Sequence, residues 1–216
     1  LARLDALEAE PRALTAPSPA LYFEVRDAKR AIAFANPVID FTTMLFVDMP
    51  FPQGSEWPHE TRHRLGYMAV PGGKLVILEG LHPGGEVRQL VPQAPLHGSF
   101  WRPDVSYDAS KVLFCFKPHN EKSFHLYEIR VDGSGLRQLT PGDQPDVDNY
   151  DACYLPDGRV LFSSTASFAG VPCVNGSTWV ANLYRMDADG RNLRQLCFDQ
   201  EHNWCPTLLP NGRVLY

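Results

Sequence analysis

The chain has 216 residues, 44% hydrophobic and 21% charged, a composition that excludes whole-chain disorder and suits one large or two small globular domains. Its formal net charge is −5 with Lys and Arg scattered rather than clustered, so no phosphate-binding surface and no nucleic-acid partner are expected. No apolar run reaches the roughly eighteen residues that a membrane-spanning helix needs.

Residues 1–10, LARLDALEAE, place Leu1, Leu4 and Leu7 at three-residue spacing and predict a helix ended by Pro11. Thr15 to Ala20 reads as a linker. A second helix is expected from Glu24 to Ala35, stopped by Asn36-Pro37. Asp40 to Asp48 is rich in strand formers and is expected to enter a sheet, whereas Pro50, Pro52, Gly54 and Pro58 make the following stretch an irregular insertion. The expected division is a helical and irregular N-terminal extension over residues 1–62 and an all-β partial β-propeller over 63–216.

From there the pattern is strand and turn. Tyr67 to Val70, Lys74 to Glu79 and Glu86 to Val91 are the expected outer strands of a first blade, separated by Pro71-Gly72-Gly73 and Pro83-Gly84-Gly85. A second blade is expected at Trp101 to Tyr107, Lys111 to Lys117, Phe124 to Val131 and Leu136 to Thr140. A third is expected at Tyr150 to Leu155, Arg159 to Ser164, Trp179 to Met186 and Leu193 to Cys197. A fourth begins at Trp204 to Leu209 and Arg213 to Tyr216, so the sequence reads as a piece of a larger protein.

Two signatures mark the repeat. Arg88-Gln89-Leu90, Arg137-Gln138-Leu139 and Arg194-Gln195-Leu196 are one. Ser110-Lys111-Val112, Gly158-Arg159-Val160 and Gly212-Arg213-Val214, each behind a turn, are the other. Their spacing of about fifty residues is that of a four-stranded propeller blade.

Connections from first to second strand and from third to fourth are tight Asp- or Asn-containing turns, while the remaining connections are long. In an up-and-down blade the long ones emerge at one end, where loops carry function on a rigid frame. That end is expected to collect His97, His119, Glu121, Asp143, Asp146, Asp148, Cys173, Asp199, Glu201 and His202. Within this set Asp146, Asp148 and His202 are the candidate ligands of a divalent cation, because hard cations take carboxylate oxygens and His adds a softer ligand; the plainer reading is solvated acidic loops. No G-x-S-x-G occurs and no catalytic constellation is expected in this segment. Trp101, Tyr150, Trp179 and Trp204 are expected to pack in the core rather than to stack on a ligand.

The turn Tyr154 to Phe162, YLPDGRVLF, and the hairpin Leu183 to Gly190, LYRMDADG, resemble the TolB-type, WD40-like propeller repeat. The run Asp104 to Leu139, DVSYDASKVLFCFKPHNEKSFHLYEIRVDGSGLRQL, is similar to the middle domain of the hydrazine synthase alpha subunit and its relatives. That resemblance implies a scaffold or binding module of a larger periplasmic or secreted protein. Its partners would be other domains or subunits and a small polar ligand. It leaves open two alternatives: a subunit of a multihaem oxidoreductase in which the propeller positions haem domains, and the access domain of a hydrolase. No C-x-x-C-H is present, so any haem would belong to other parts of the parent protein. A secreted parent would also permit a Cys153–Cys173 disulfide, worth about 2–4 kcal/mol. The alternatives are a buried free Cys153 and a metal-ligating Cys173.

Overall fold

The computed structural model describes residues 5–7, 16–50, 70–82, 84–91, 97–118, 123–172 and 178–216. The chain divides into two compact units, Leu1–Thr42 and Thr43–Tyr216. The expected 62/63 boundary falls outside the described residues, and the strand that precedes it already belongs to the larger unit.

In the smaller unit, residues 5–7 are helical and α1 spans Pro19–Phe34. It starts five residues earlier than the apolar periodicity suggests. Ser18 caps it, its hydroxyl accepting the Leu21 N–H at 3.3 Å, and Pro19 occupies the first turn, where its missing N–H is not needed. Leu7, Leu21 and Ala28 are buried together against Val25.

The larger unit is antiparallel throughout. Its strands are β1 (Thr43–Asp48), β2 (Lys74–Glu79), β3 (Glu86–Gln89), β4 (Gly98–Val105), β5 (Lys111–Pro118), β6 (His125–Arg130), β7 (Arg137–Gln138), β8 (Asn149–Tyr154), β9 (Val160–Ser164), β10 (Asn182–Met186), β11 (Arg194–Gln195), β12 (Thr207–Leu208) and β13 (Val214–Leu215). They form sheets in the orders β1-β2-β3, β4-β5-β6-β7, β8-β9-β10-β11 and β12-β13. Two of these are complete four-stranded antiparallel blades of a propeller-like fold, the first has three strands and the last two, and among the described residues no closed ring is formed.

The repeat fixes which strand is which. Leu90, Leu139 and Leu196 donate their N–H groups to the carbonyls of Leu75, Leu126 and Leu183, each at 2.8 Å, so β2, β6 and β10 are third strands and β3, β7 and β11 are fourth strands. Thr43-Met44-Leu45-Phe46, Lys111-Val112-Leu113-Phe114 and Arg159-Val160-Leu161-Phe162 are then the second strands, with Leu45 opposite Ile77, Leu113 opposite Glu128 and Leu161 opposite Arg185. The first blade therefore contains strands two, three and four. Its second strand is β1, whereas Tyr67 to Val70 was the sequence expectation. Of that stretch only Val70 is described, and it is not in a strand.

First-to-second-strand turns are built alike. Asp108, Asp157 and Asn211 each accept with a side-chain oxygen the N–H two residues on, at 3.1 Å, in Ser110, Arg159 and Arg213.

The second strands β5 and β9 are buried on both faces, because blades two and three each stack between two others. Along β5, Val112, Phe114 and Phe116 enter one core with Leu75, Ile77, Phe100 and Tyr127. Leu113 and Cys115 point the other way, into a core with Leu126, Tyr150, Phe162 and Met186. Period-two alternation thus feeds two interblade cores from one strand, which is why β5 reads as a continuous apolar run.

Blades also meet at their third-to-fourth-strand turns. Gly190 has φ +86°, and a Cβ there would lie 2.4 Å from the Leu139 carbonyl oxygen of the preceding blade. Gly190→Ala is expected to cost about 2 kcal/mol in chemical unfolding, since strain and clash coincide. Gly158→Ala shares the positive φ but meets nothing within 4 Å, and should cost less.

Candidate functional site

The first strands of blades two, three and four carry one pattern: Trp101-Arg102-Pro103-Asp104, Tyr150-Asp151-Ala152-Cys153 and Trp204-Cys205-Pro206-Thr207. The second residue of each is left-handed, with φ of 41° at Arg102, 53° at Asp151 and 56° at Cys205. In β4 and β8 this is a bulge: Trp101 and Asp104 face Cys115 and Leu113, and Tyr150 and Cys153 face Ser163 and Leu161, leaving one residue too many on the inner strand. Proline fits at the extra position because it has no N–H to give the ladder.

The bulge turns polar groups across blade boundaries. Trp101 Nε1 donates to Asp151 Oδ1 at 2.8 Å, and the Cys205 N–H donates to Asp151 Oδ2 at 2.9 Å. The Tyr154 N–H donates to Asp104 Oδ2 at 2.8 Å, and Trp204 Nε1 to the Tyr150 hydroxyl at 3.3 Å. One Arg102 nitrogen donates to the Pro206 carbonyl at 3.1 Å and to Thr207 Oγ1 at 3.2 Å, so its guanidinium spans from the second blade to the fourth. Asp151 is fully buried and joins three blades through one carboxylate.

Beside these contacts lies a cleft of about 390 Å³, lined by Arg102, Asp104, Tyr107, Cys153, Thr207 and Leu208 among others. It adjoins a second, of about 290 Å³, that shares Tyr107 and Tyr154 and reaches Lys111 and Glu128. Burial pushes the Asp104 carboxyl above its ordinary range, against the pull of the Tyr154 and Val105 N–H groups and of the Arg102 charge. Burial, and then the Asp104 charge, raises the Cys153 thiol to about 11. Cys153 is therefore a neutral thiol near pH 7, unsuited to nucleophilic attack. The cleft offers a guanidinium, a carboxyl group and, on Tyr107, a 68% exposed aromatic ring: groups that hold a polar molecule.

The cleft sits where β4, β8 and β12 run toward the tight turns, whereas the long connections leave from the opposite end. The residues expected to carry function lie at that long-loop end. There Asp143 and Asp146 are exposed in the β7–β8 connection, Asp199 and Glu201 are exposed before β12, and His97 is exposed ahead of β4. His119, Glu121 and Cys173 lie outside the described residues. Cys153, the expected partner of Cys173, carries a free thiol.

Asp146, Asp148 and His202 do not form the expected cation site: among the described residues no group of three or more His, Cys, Asp or Glu side chains is placed to hold a metal ion. Two of the three are committed to the fold. Asp148 is buried, and its carboxylate accepts the Phe124 N–H at 3.0 Å while its own N–H donates to Thr165 Oγ1 at 2.9 Å. His202 accepts the Ala181 N–H on Nδ1 at 3.1 Å and stacks on Trp204 with ring centroids 4.6 Å apart.

That acceptor role requires a neutral imidazole, and burial lowers the His202 pKa, opposed by Glu201. A lowered folded-state pKa means that the unfolded chain binds the proton more readily. Stability is thus fully present above the unfolded value of about 6.5 and is lost as pH falls below it toward the folded value. Denaturant midpoints should fall between pH 7.5 and pH 5, and His202→Gln should flatten that part of the profile.

No family model and no curated protein matches the chain. Among solved structures, Kuenenia stuttgartiensis hydrazine synthase is similar with a TM-score of 0.63 at 16% identity, over 80% of this chain and 27% of that one. A putative TolB from Agrobacterium tumefaciens is similar with a TM-score of 0.51 at 19% identity, over 66% of this chain and 44% of that one. The chain therefore spans less than half of either structure, and at these identities the likeness shows a TolB-like, propeller-type fold.

Proposed function

We propose that this chain is a β-propeller frame within a larger extracytoplasmic protein of the kind hydrazine synthase represents, and that its inner-strand cleft binds a small polar ligand. The observation that carries the reading is the left-handed residue repeated at Arg102, Asp151 and Cys205, set in a bulge in the first two. Left-handed non-glycine residues cost energy, roughly 1–2 kcal/mol each, and cluster where a fold fixes side chains for use. Here they hold the walls of the cleft in place, as a binding frame needs, and the neutral Cys153 thiol favours binding over covalent chemistry. A periplasmic or secreted location and docking against other domains of the parent belong to the same proposal.

The test uses saturation-transfer NMR on the full chain with acetate, succinate, glycine and arginine as probes. At least one charged probe should show transfer that Arg102→Ala removes and Arg102→Lys partly keeps. Transfer from none of the four, or transfer unchanged in Arg102→Ala, would remove the binding role.

A further inference from the structure

We infer that the edge of β1 left unpaired by the described residues accepts an added β-strand from a partner segment carrying the inner-strand pattern, aromatic, left-handed residue, Pro or Ala, hydrogen-bond acceptor, and so completes the first blade. The inference concerns assembly and stands apart from whatever occupies the cleft.

Its ground is the strand-by-strand equivalence. In blades two and three the second strand lies between a first and a third: β5 between β4 and β6, β9 between β8 and β10. Among the described residues β1 pairs with β2 alone. Its side chains show the difference. Met44 is 42% exposed, whereas Val112 and Val160 at the same place in β5 and β9 are 1% and 0% exposed. Leu45, Phe46 and Val47 are only partly buried, while every corresponding residue of β5 and β9 is buried. An edge of this kind presents a row of backbone donors and acceptors, which an extended segment satisfies by strand addition.

What fits is set by the strand next door. First strands bond to one another across blades: β4 to β8 through Trp101–Asp151 and through Asp104 with the Tyr154 N–H, and β8 to β12 through Asp151 with the Cys205 N–H and the Trp204 indole with the Tyr150 hydroxyl. A strand on the β1 edge would stand beside β4 as β4 stands beside β8, continuing that row by one member. At the fourth position Asp104 accepts the Tyr154 N–H of the next blade and Thr207 Oγ1 accepts from Arg102, so the occupant needs an acceptor there as well.

The test mixes the full chain with synthetic peptides copying its own first strands, residues 98–107 and 147–156, and one third strand, residues 124–131. Amide hydrogen exchange is then read at residues 43–48 and 214–215. A second version attaches the 98–107 copy after Tyr216 through a Gly/Ser linker long enough to reach β1, which raises its effective concentration to the millimolar range. First-strand peptides, free or attached, should slow exchange across 43–48 at least tenfold and leave 214–215 unchanged, while the third-strand peptide should act at 214–215, the second strand of the fourth blade. The inference is overturned if the attached copy leaves 43–48 unprotected, if those amides are equally slow without peptide, or if they are protected only through dimers of the chain.

Discussion

Asp151→Ala is expected to destabilise the larger unit by about 3–4 kcal/mol. Two donors, Trp101 Nε1 and the Cys205 N–H, lose a buried charged acceptor, and leaving such donors unpaired costs about 1–3 kcal/mol each. Alanine must also hold φ near 53°, at roughly 1–2 kcal/mol, which offsets whatever relaxation recovers. Asp151→Asn tolerates the left-handed backbone and keeps one acceptor oxygen, so it should lose about half as much. Urea unfolding of the three proteins checks the order, and equal stability of Asp151→Ala and the parent would contradict it.

Glu128→Ala is expected to cost about 3 kcal/mol, through a different kind of joint. The carboxylate is buried on β6. Oε1 accepts from Arg137 Nε at 3.0 Å and Nη2 at 2.8 Å and lies 3.5 Å from Lys111 Nζ, while Oε2 accepts from the Tyr154 hydroxyl of the next blade at 2.9 Å. Arg137 Nη2 also donates to the Ala188 carbonyl at 2.7 Å, so the guanidinium straddles the same blade boundary. Removing Glu128 leaves a hydroxyl and a half-exposed guanidinium without their partner. The cost falls at or just below the roughly 3–5 kcal/mol of a fully buried pair, because Arg137 and Lys111 keep access to water. Tyr154→Phe deletes only the donor and should cost about 1 kcal/mol. In the double variant the losses should be less than additive, because the pair is already broken.

The two effects explain which parts of this fold are legible in sequence. Turns carry their chemistry locally: Asp108, Asp157 and Asn211 bond the amide two residues on, so the turns they form could be placed from residue type alone. Strands β5, β6, β8 and β9 were expected to within about one residue, β5 because two-sided burial writes an apolar run and the others because the repeat and its turns bound them. Asp40 to Asp48 was expected to enter a sheet, as β1 does, but not as the second strand of the first blade, because residues 49–73 separate it from the third. The shared second-strand pattern of Thr43 to Phe46 with Lys111 to Phe114 was the available signal.

The inner-strand cleft was not legible because its defining feature, a left-handed non-glycine residue, has no residue type of its own. Arg102, Asp151 and Cys205 share a backbone conformation and no side-chain chemistry. What the sequence does show is the aromatic one position before and the Pro or Ala one position after. The acidic loop residues misled for the opposite reason: their chemistry suits a metal, but Asp148 and His202 spend it on backbone amides.

The most direct test of the account is a double-mutant cycle across the boundary between blades two and three, with Trp101→Phe and Asp151→Asn made singly and together and stability read by urea unfolding. If the first strands of successive blades are joined through their bulges, the pair should show a coupling of about 1 kcal/mol or more. Strict additivity of the two losses would mean that the blades do not meet through these side chains, and the frame described here would be wrong at its centre.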